Sequence, residues 1–293
     1  MADDPDARID VAVACRVLGV SRSGYYDWLG RPPSAREEAN TLLRKQIAEI
    51  HEQSRGAYGW PRVHAELVLG LGVQVNHKRV ARLMREAGVQ GLYRRRTRRG
   101  PSGPATEDDL VHRRFDADAL DRLWLTDITE HPTNEGKVYC CAVMDAFSRR
   151  IIGWSIADHM RTELVCDALG MAILRRSPGG GANTVDTILH SDHGTQFTSW
   201  AFGQRLRDAG LLPSMGTIGD CYDNSMMESF WGTLQLEVLD SRTWETRSDL
   251  ANAIFEWIEC WYNTERRHSS IGMLPPVVFE TLHSDQTSTQ DDH

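Results

Sequence analysis

The hydrophobic pattern changes period near Leu123, and that change constrains the fold more than any other feature of the chain. Upstream, apolar residues recur at helical spacing. Downstream come short apolar runs at Leu123 to Ile128, Val138 to Met144 and Ile151 to Ile156, separated by the turn-rich stretches Asn134-Glu135-Gly136 and Ser148-Arg149-Arg150. Three such runs with short connections predict an antiparallel meander. A helix over Thr162 to Arg175 follows, then the Gly179-Gly180-Gly181 loop and a strand at Thr187 to His190. A helix over Trp200 to Ala209, a strand at Leu211 to Ser214, and helices near Asn224 to Leu239 and Arg247 to Tyr262 complete the pattern. Strands first antiparallel and then alternating with helices predict an α/β unit, a mixed five-stranded sheet with helices on both faces.

The upstream third is all-α. Val11 to Leu29 reads as two short helices around Leu18-Gly19-Val20, with Ser21 capping the second and Ala12, Ala14, Val17 and Val20 on the packing side. This is a helix-turn-helix pattern, although a two-helix hairpin of any bundle has the same outline. As a DNA reader it presents Arg22, Ser23 and Tyr25 to base edges. A helix near Ala39 to Gln53 leads to a second unit, in which Tyr58-Gly59-Trp60-Pro61 opens a helix carrying Val63, Leu67 and Val68, ended by Gly70 and Gly72. Asn76 then caps a helix through Ala87, with Val80, Leu83 and Met84 inward, Lys78, Arg79, Arg82 and Arg85 outward, and Gly88 as its stop.

Charge divides the chain in the same place. Residues 1–104 hold 18 Lys and Arg against 11 Asp and Glu, and the remainder holds 15 against 30. Between Lys78 and Arg99 there are nine basic residues, Arg94, Arg95 and Arg96 among them, and one acid, Glu86. A solvated helix face interleaves both signs, so this run points to phosphate. Pro and Gly between Thr97 and Asp109 mark a linker. The segments expected are an N-terminal helix-turn-helix at 1–35, a basic helix-turn-helix at 36–96, a linker at 97–118, a core at 119–283 and a disordered tail at 284–293. No stretch is apolar enough for a membrane span, the N-terminus is acidic where a secretory signal is basic, and the six cysteines form no C-x-x-C pair. A cytoplasmic location with reduced thiols is expected.

Three carboxylates stand out by context. Asp127 interrupts the apolar strand Leu123-Trp124-Leu125-Thr126-Asp127-Ile128 and needs a partner there. Asp192 directly follows the strand ending Leu189-His190-Ser191, where sites of α/β sheets are built. Glu228 shares a helix face with Trp231 and Gln235. Three hard oxygen donors suit magnesium, while a capped strand end and two surface acids is the plain structural alternative. Asp145 and Asp223 are most simply a turn residue and a helix cap, and Asp220, beside Asp223, is set aside with them.

The words around these acids are specific. Trp124-Leu125-Thr126-Asp127-Ile128-Thr129, Asp145-Ala146-Phe147-Ser148-Arg149-Arg150-Ile151-Ile152-Gly153-Trp154, His190-Ser191-Asp192-His193-Gly194-Thr195-Gln196-Phe197 and Asp223-Asn224-Ser225 to Glu228-Ser229-Phe230-Trp231-Gly232-Thr233-Leu234 occur in order, with 35 residues between Asp192 and Glu228. They resemble the integrase-type catalytic core of the second-frame transposases of insertion-sequence family three. Tyr262-Asn263 to Arg266-Arg267-His268, with Pro275-Pro276, resembles that family's C-terminal core motif, and the basic unit resembles its helix-turn-helix region.

The resemblance implies a ribonuclease H-like core in which Asp127, Asp192 and Glu228 hold two Mg2+ ions, with Mn2+ as a substitute, for cleavage and strand transfer at element ends. It implies double-stranded DNA as partner, both terminal repeats and target, a homo-oligomer on that DNA, and an upstream-frame product or frameshift fusion. His193 and Gln196 become candidate substrate contacts. Where family members commonly carry Lys seven residues after the catalytic Glu, this chain has Gln235, which keeps a hydrogen bond to phosphate but forfeits the charge. The competing function is a catalytically silent DNA-binding regulator, a relic of a transposase.

Overall fold

The computed structural model describes residues 10–93, 117–177, 187–191, 194, 196–215 and 225–290. Asp10 caps helix α1 (Val11–Leu18) and Ser21 caps α2 (Arg22–Leu29), its side chain accepting from the Gly24 amide, while Gly19 turns between them in the left-handed region. Only Cys15 is buried in this pair. Val17 is 79% exposed and Val20 52% exposed, which corrects the expected packing side. Two eight-residue helices are too short to cover each other's apolar stripe, and no third layer meets them among the described residues.

Helices α3 (Ala35–Gln53), α4 (Trp60–Ala65) and α5 (His77–Glu86) form a separate core. The Asn76 side chain caps α5 by accepting from the Lys78 amide. Leu43, Ile47 and Ile50 of α3 meet Val63 of α4, Leu67, and Val80, Leu83 and Met84 of α5. α4 continues as one wider π turn over Glu66–Gly70, a variant that apolar spacing does not reveal. Gly91 closes the unit against the Tyr58–Gly59 backbone, where a Cβ would lie 2.2 Å from the Gly59 nitrogen.

The sheet runs β3-β2-β1-β4-β5. Strands β1 (Leu123–Thr133), β2 (Gly136–Asp145) and β3 (Ile151–Ala157) are the antiparallel meander. β4 (Ile188–Ser191) lies parallel to β1 with Leu125 opposite His190, and β5 (Leu212–Met215) lies parallel to β4. This is the mixed, ribonuclease H-like arrangement expected.

Alternation along the strands feeds two cores. Trp124, Cys141, Val143, Ile152 and Leu189 pack under α6 (Thr162–Arg176) and α7 (Trp200–Asp208). Leu125, Cys140, Ala142, Met144 and Ile151 pack under α8 (Ser225–Glu237) and α9 (Arg247–Glu256), the latter continuing as a π-helical segment over Trp257–Tyr262. α6 comes so close to β3 that a Cβ on Gly153 would lie 2.1 Å from the Ala168 carbonyl oxygen, so only glycine fits there.

The last helix, α10 (Pro276–Gln290), runs into the segment expected to be a disordered tail as far as Gln290, and residues 291–293 lie outside the described residues. The Thr281 and Ser284 hydroxyls turn back onto the carbonyls of Val277 and Glu280. Arg94, Arg95, Arg96 and the expected linker lie outside the described residues. No helix among the described residues is long and apolar enough to cross a membrane.

Candidate active site

Asp127 sits on the central strand, two residues beyond Leu125 and on the same face, under α8. Its partner is Trp231 of α8, whose indole Nε1 donates to Asp127 Oδ2 at 3.0 Å. The Ile128 amide donates to Oδ1 at 2.8 Å. Sequence reading asks for a partner at Asp127 and places Trp231 on the face of Glu228, without joining the two. The i, i+3 spacing from Glu228 to Trp231 is the signal that links them.

Glu228 is exposed in the first turn of α8, one turn before Trp231. The indole contact therefore brings the helix segment that carries Glu228 to the strand that carries Asp127. On β4, Leu189 faces the α6–α7 core, so His190 faces the α8 side, where its Nδ1 lies 3.1 Å from Ser214 Oγ. Asp192, two residues beyond His190, lies outside the described residues, as do His193, Asp220 and Asp223. No three His, Cys, Asp or Glu side chains cluster as a metal site among the described residues, which include two of the three expected acids.

Asp145 has a different task. It is fully buried; its Oδ1 accepts from the amides of Phe147 and Ser148 and from the Ser148 hydroxyl, and its Oδ2 from the Asp121 amide. Arg176 lies between Asp121, Asp145 and Glu280, and Glu280 also receives Arg150 and shares with Asp145 the one proton of the Ser148 hydroxyl. This network fixes the β2–β3 turn and α10, as a turn residue should. Burial raises the Asp145 carboxyl, an effect its amide donors and Arg176 only partly offset.

The DNA-facing candidates separate into two groups. Arg22 and Ser23 are exposed and Tyr25 is half-buried, its ring against Tyr26 and Trp28. On α5, Lys78 and Arg85 are exposed, whereas Arg79 donates through Nε and Nη2 to Asn40 Oδ1 of α3, and Arg82 pairs with Glu86 at 3.0 Å. Helical periodicity puts all four outward, but it carries no information about where α3 crosses. Gln196 donates to the Met160 carbonyl and Gln235 to Asp240. Ala at both Lys78 and Arg85 is expected to shallow the slope of log affinity for duplex DNA against log salt by about 1.8, at about 0.9 for each phosphate left without its cation. Arg79→Ala is expected instead to lower the melting temperature, and an unchanged slope in the double variant would mean that this face points away from DNA.

The C-terminal motif joins the helical unit to the sheet, a role its sequence does not declare. Arg266 donates through Nε and Nη2 to Glu237, which also accepts from the indoles of Trp257 and Trp261. Asn263 brackets Ile151, accepting from its amide and donating to its carbonyl. Arg267 reaches the other way: its amide donates to the Tyr58 hydroxyl at 2.8 Å and its guanidinium pairs with Glu66. The Tyr58 ring packs on Trp261 at 5.5 Å, and Arg62 Nε donates to the Arg267 carbonyl.

Comparison with known proteins matches these parts one by one. A family model described as an integrase core domain matches residues 117–221, another of that description matches residues 209–276, and an HTH-like domain matches residues 37–97. The putative transposase for insertion sequence element IS986/IS6110 of Mycobacterium tuberculosis (strain ATCC 25177 / H37Ra) is 37% identical over 270 residues, 91% of this chain and 96% of that protein. Transposase InsF for insertion sequence IS3A of Escherichia coli (strain K12) is 35% identical over 280 residues, 94% and 95% of the two chains. The transposase for insertion sequence element IS904 of Lactococcus lactis is 35% identical over 259 residues, 87% of this chain and 99% of that one. The likeness thus runs through the helical unit as well as the sheet.

Proposed function

The chain belongs to the integrase-core transposases of insertion-sequence family three, and from that premise we propose that it cuts and joins the DNA ends of its element through divalent metal held by Asp127, Asp192 and Glu228. The observation that carries the reading is the Trp231 to Asp127 hydrogen bond, which draws the helix of Glu228 onto the strand of Asp127. An all-carboxylate donor set suits Mg2+, which prefers a few hard oxygens together with water and phosphate, and Mn2+ as a substitute. Such ions, when bound, activate a water or a DNA 3′-hydroxyl and stabilise the leaving oxygen of an in-line displacement.

The chain's own residues prepare that chemistry. Trp231 and the Ile128 amide hold the Asp127 carboxylate in one orientation, so little order remains to be imposed when a ligand arrives. Glu228, exposed one turn before Trp231 on α8, is open to a phosphodiester from solvent. No enzyme nucleophile is needed, since cleavage and joining differ only in which hydroxyl attacks. Lys78 and Arg85 on α5 hold duplex by its phosphates, and α2 reads bases through Arg22, Ser23 and Tyr25. The protein acts as a homo-oligomer on DNA, since two element ends must be brought together, and an upstream-frame product joins it as partner or fusion.

The test is nicking of end-labelled terminal-repeat DNA in Mg2+ and, as control, in EDTA. Wild type is expected to nick only with metal, and Glu228→Gln is expected to bind the same DNA without nicking it. Activity of Glu228→Gln within tenfold of wild type would remove Glu228 from the site. Binding without nicking by wild type would favour the silent regulator.

A further inference from the structure

Where the helical unit, the β2–β3 turn, α8 and the C-terminal motif meet, they enclose a small polar cavity of about 90 Å3. Arg62 of α4, Arg149 of the turn and Arg266 of the motif line it, with Ser229 and Thr233 of α8 and Ser269, and among the described residues that line it none is acidic. Arg266 is neutralised by Glu237. Arg62 makes no ion pair among the described residues; its guanidinium lies over the Tyr58 ring, 5.9 Å from the centroid, and spends Nε on the Arg267 carbonyl. Burial, and then the Arg266 charge, push the Arg62 pKa down, while Glu237 works the other way. His268, also in the lining, adds no positive charge, because burial pushes it down to about 3 and leaves it neutral.

Arginines brought together from three elements, with hydroxyls around them and no acid among the described lining residues, are the chemistry that recognises a phosphate oxyanion. A volume of about 90 Å3 is ample for a tetrahedral anion. Ser229 follows Glu228 directly on α8 but points about 100° further round the helix, so a phosphate held in this cavity is a different one from the phosphate that reaches Glu228. We propose that the cavity binds one backbone phosphate of the DNA, seating the duplex on the helical unit and the catalytic core at once. The proposal rests on the reading of the chain as a DNA-cutting enzyme, but it needs neither metal nor chemistry to be observed.

Arg149 occupies the left-handed region (φ 64°), where Asn is also tolerated, so Arg149→Asn removes charge without backbone strain. Thr233→Glu puts a carboxylate into the same cavity from the half-exposed surface of α8 and serves if the first variant fails to fold. The full chain is titrated with duplex DNA in EDTA at several salt concentrations, and its melting temperature is measured in inorganic phosphate against chloride of equal ionic strength. Both variants are expected to bind DNA more weakly, to shallow the salt slope by about 0.9, and to lose the phosphate-specific rise in melting temperature that wild type shows. Loss of that rise with an unchanged slope, or a rise in a wild type that binds no duplex, would assign the cavity to a free phosphate and overturn the DNA assignment. No change in either measurement would overturn the site. Because EDTA suppresses cleavage, failure of the metal reading shows in the nicking assay and leaves these outcomes distinct.

Discussion

Asp127→Asn is expected to abolish end cleavage and joining, while Trp231→Phe is expected to leave both measurable but to raise the Mg2+ concentration they require by about 10- to 100-fold. The first change removes the charge of a ligand at nearly constant volume. The second keeps an aromatic ring against Phe230, whose centroid lies 4.6 Å away, and deletes only the N–H that orients Asp127 Oδ2. A residue that merely packs would lower the melting temperature and leave the metal titration where it was. Nicking measured across Mg2+ concentrations, beside melting curves of the same preparations, separates the two effects. An unshifted titration in Trp231→Phe would show that the indole does not orient the acid, and cleavage by Asp127→Asn within tenfold of wild type would remove Asp127 from the site.

Glu237→Ala is expected to cost about 3–5 kcal/mol, because Arg266 is left as a buried charge without its carboxylate and two indole N–H groups lose their acceptor. The Arg266 and Glu237 side chains are 5% and 7% exposed, so water does not replace what is lost. In a chain of this size that corresponds to a melting temperature lower by roughly 10 °C. Glu237→Gln, which keeps an acceptor oxygen for the indoles, should fall between. A loss under about 1 kcal/mol for Glu237→Ala, read from denaturant unfolding, would mean that Arg266 finds another partner, against the usual cost of an unpaired buried charge.

The strands were readable from composition because each sends alternate residues into one of two cores, and Leu125 and Trp124 belong to different ones. β1 outruns the apolar pattern to Thr133 because Glu130, His131 and Pro132 are held by pairing with β2, which polarity does not announce. The cap residues Ser21 and Asn76 were legible for a local reason, since a side chain two or three residues from an amide needs no tertiary partner. What periodicity missed is non-local. Arg79 turns to Asn40 because α3 crosses there, and Val17 stays exposed because no third layer crosses α1 among the described residues. In the candidate site, the need of Asp127 for a partner was legible and its identity was not, because 104 residues separate it from Trp231.

The joint between the helical unit and the sheet also has a place in time. The Arg267 amide and the Tyr58 hydroxyl are 209 residues apart, and Glu66 waits 201 residues for the Arg267 guanidinium. A ribosome adding about 5–20 residues per second takes roughly 10–40 s over that interval. Through it the helical unit, whose own core ends by Val89, is already foldable while the face bearing Tyr58 and Glu66 remains bare. The helical unit can thus fold before the sheet it is joined to is complete, and only the stretch that carries Arg267 ties the two together.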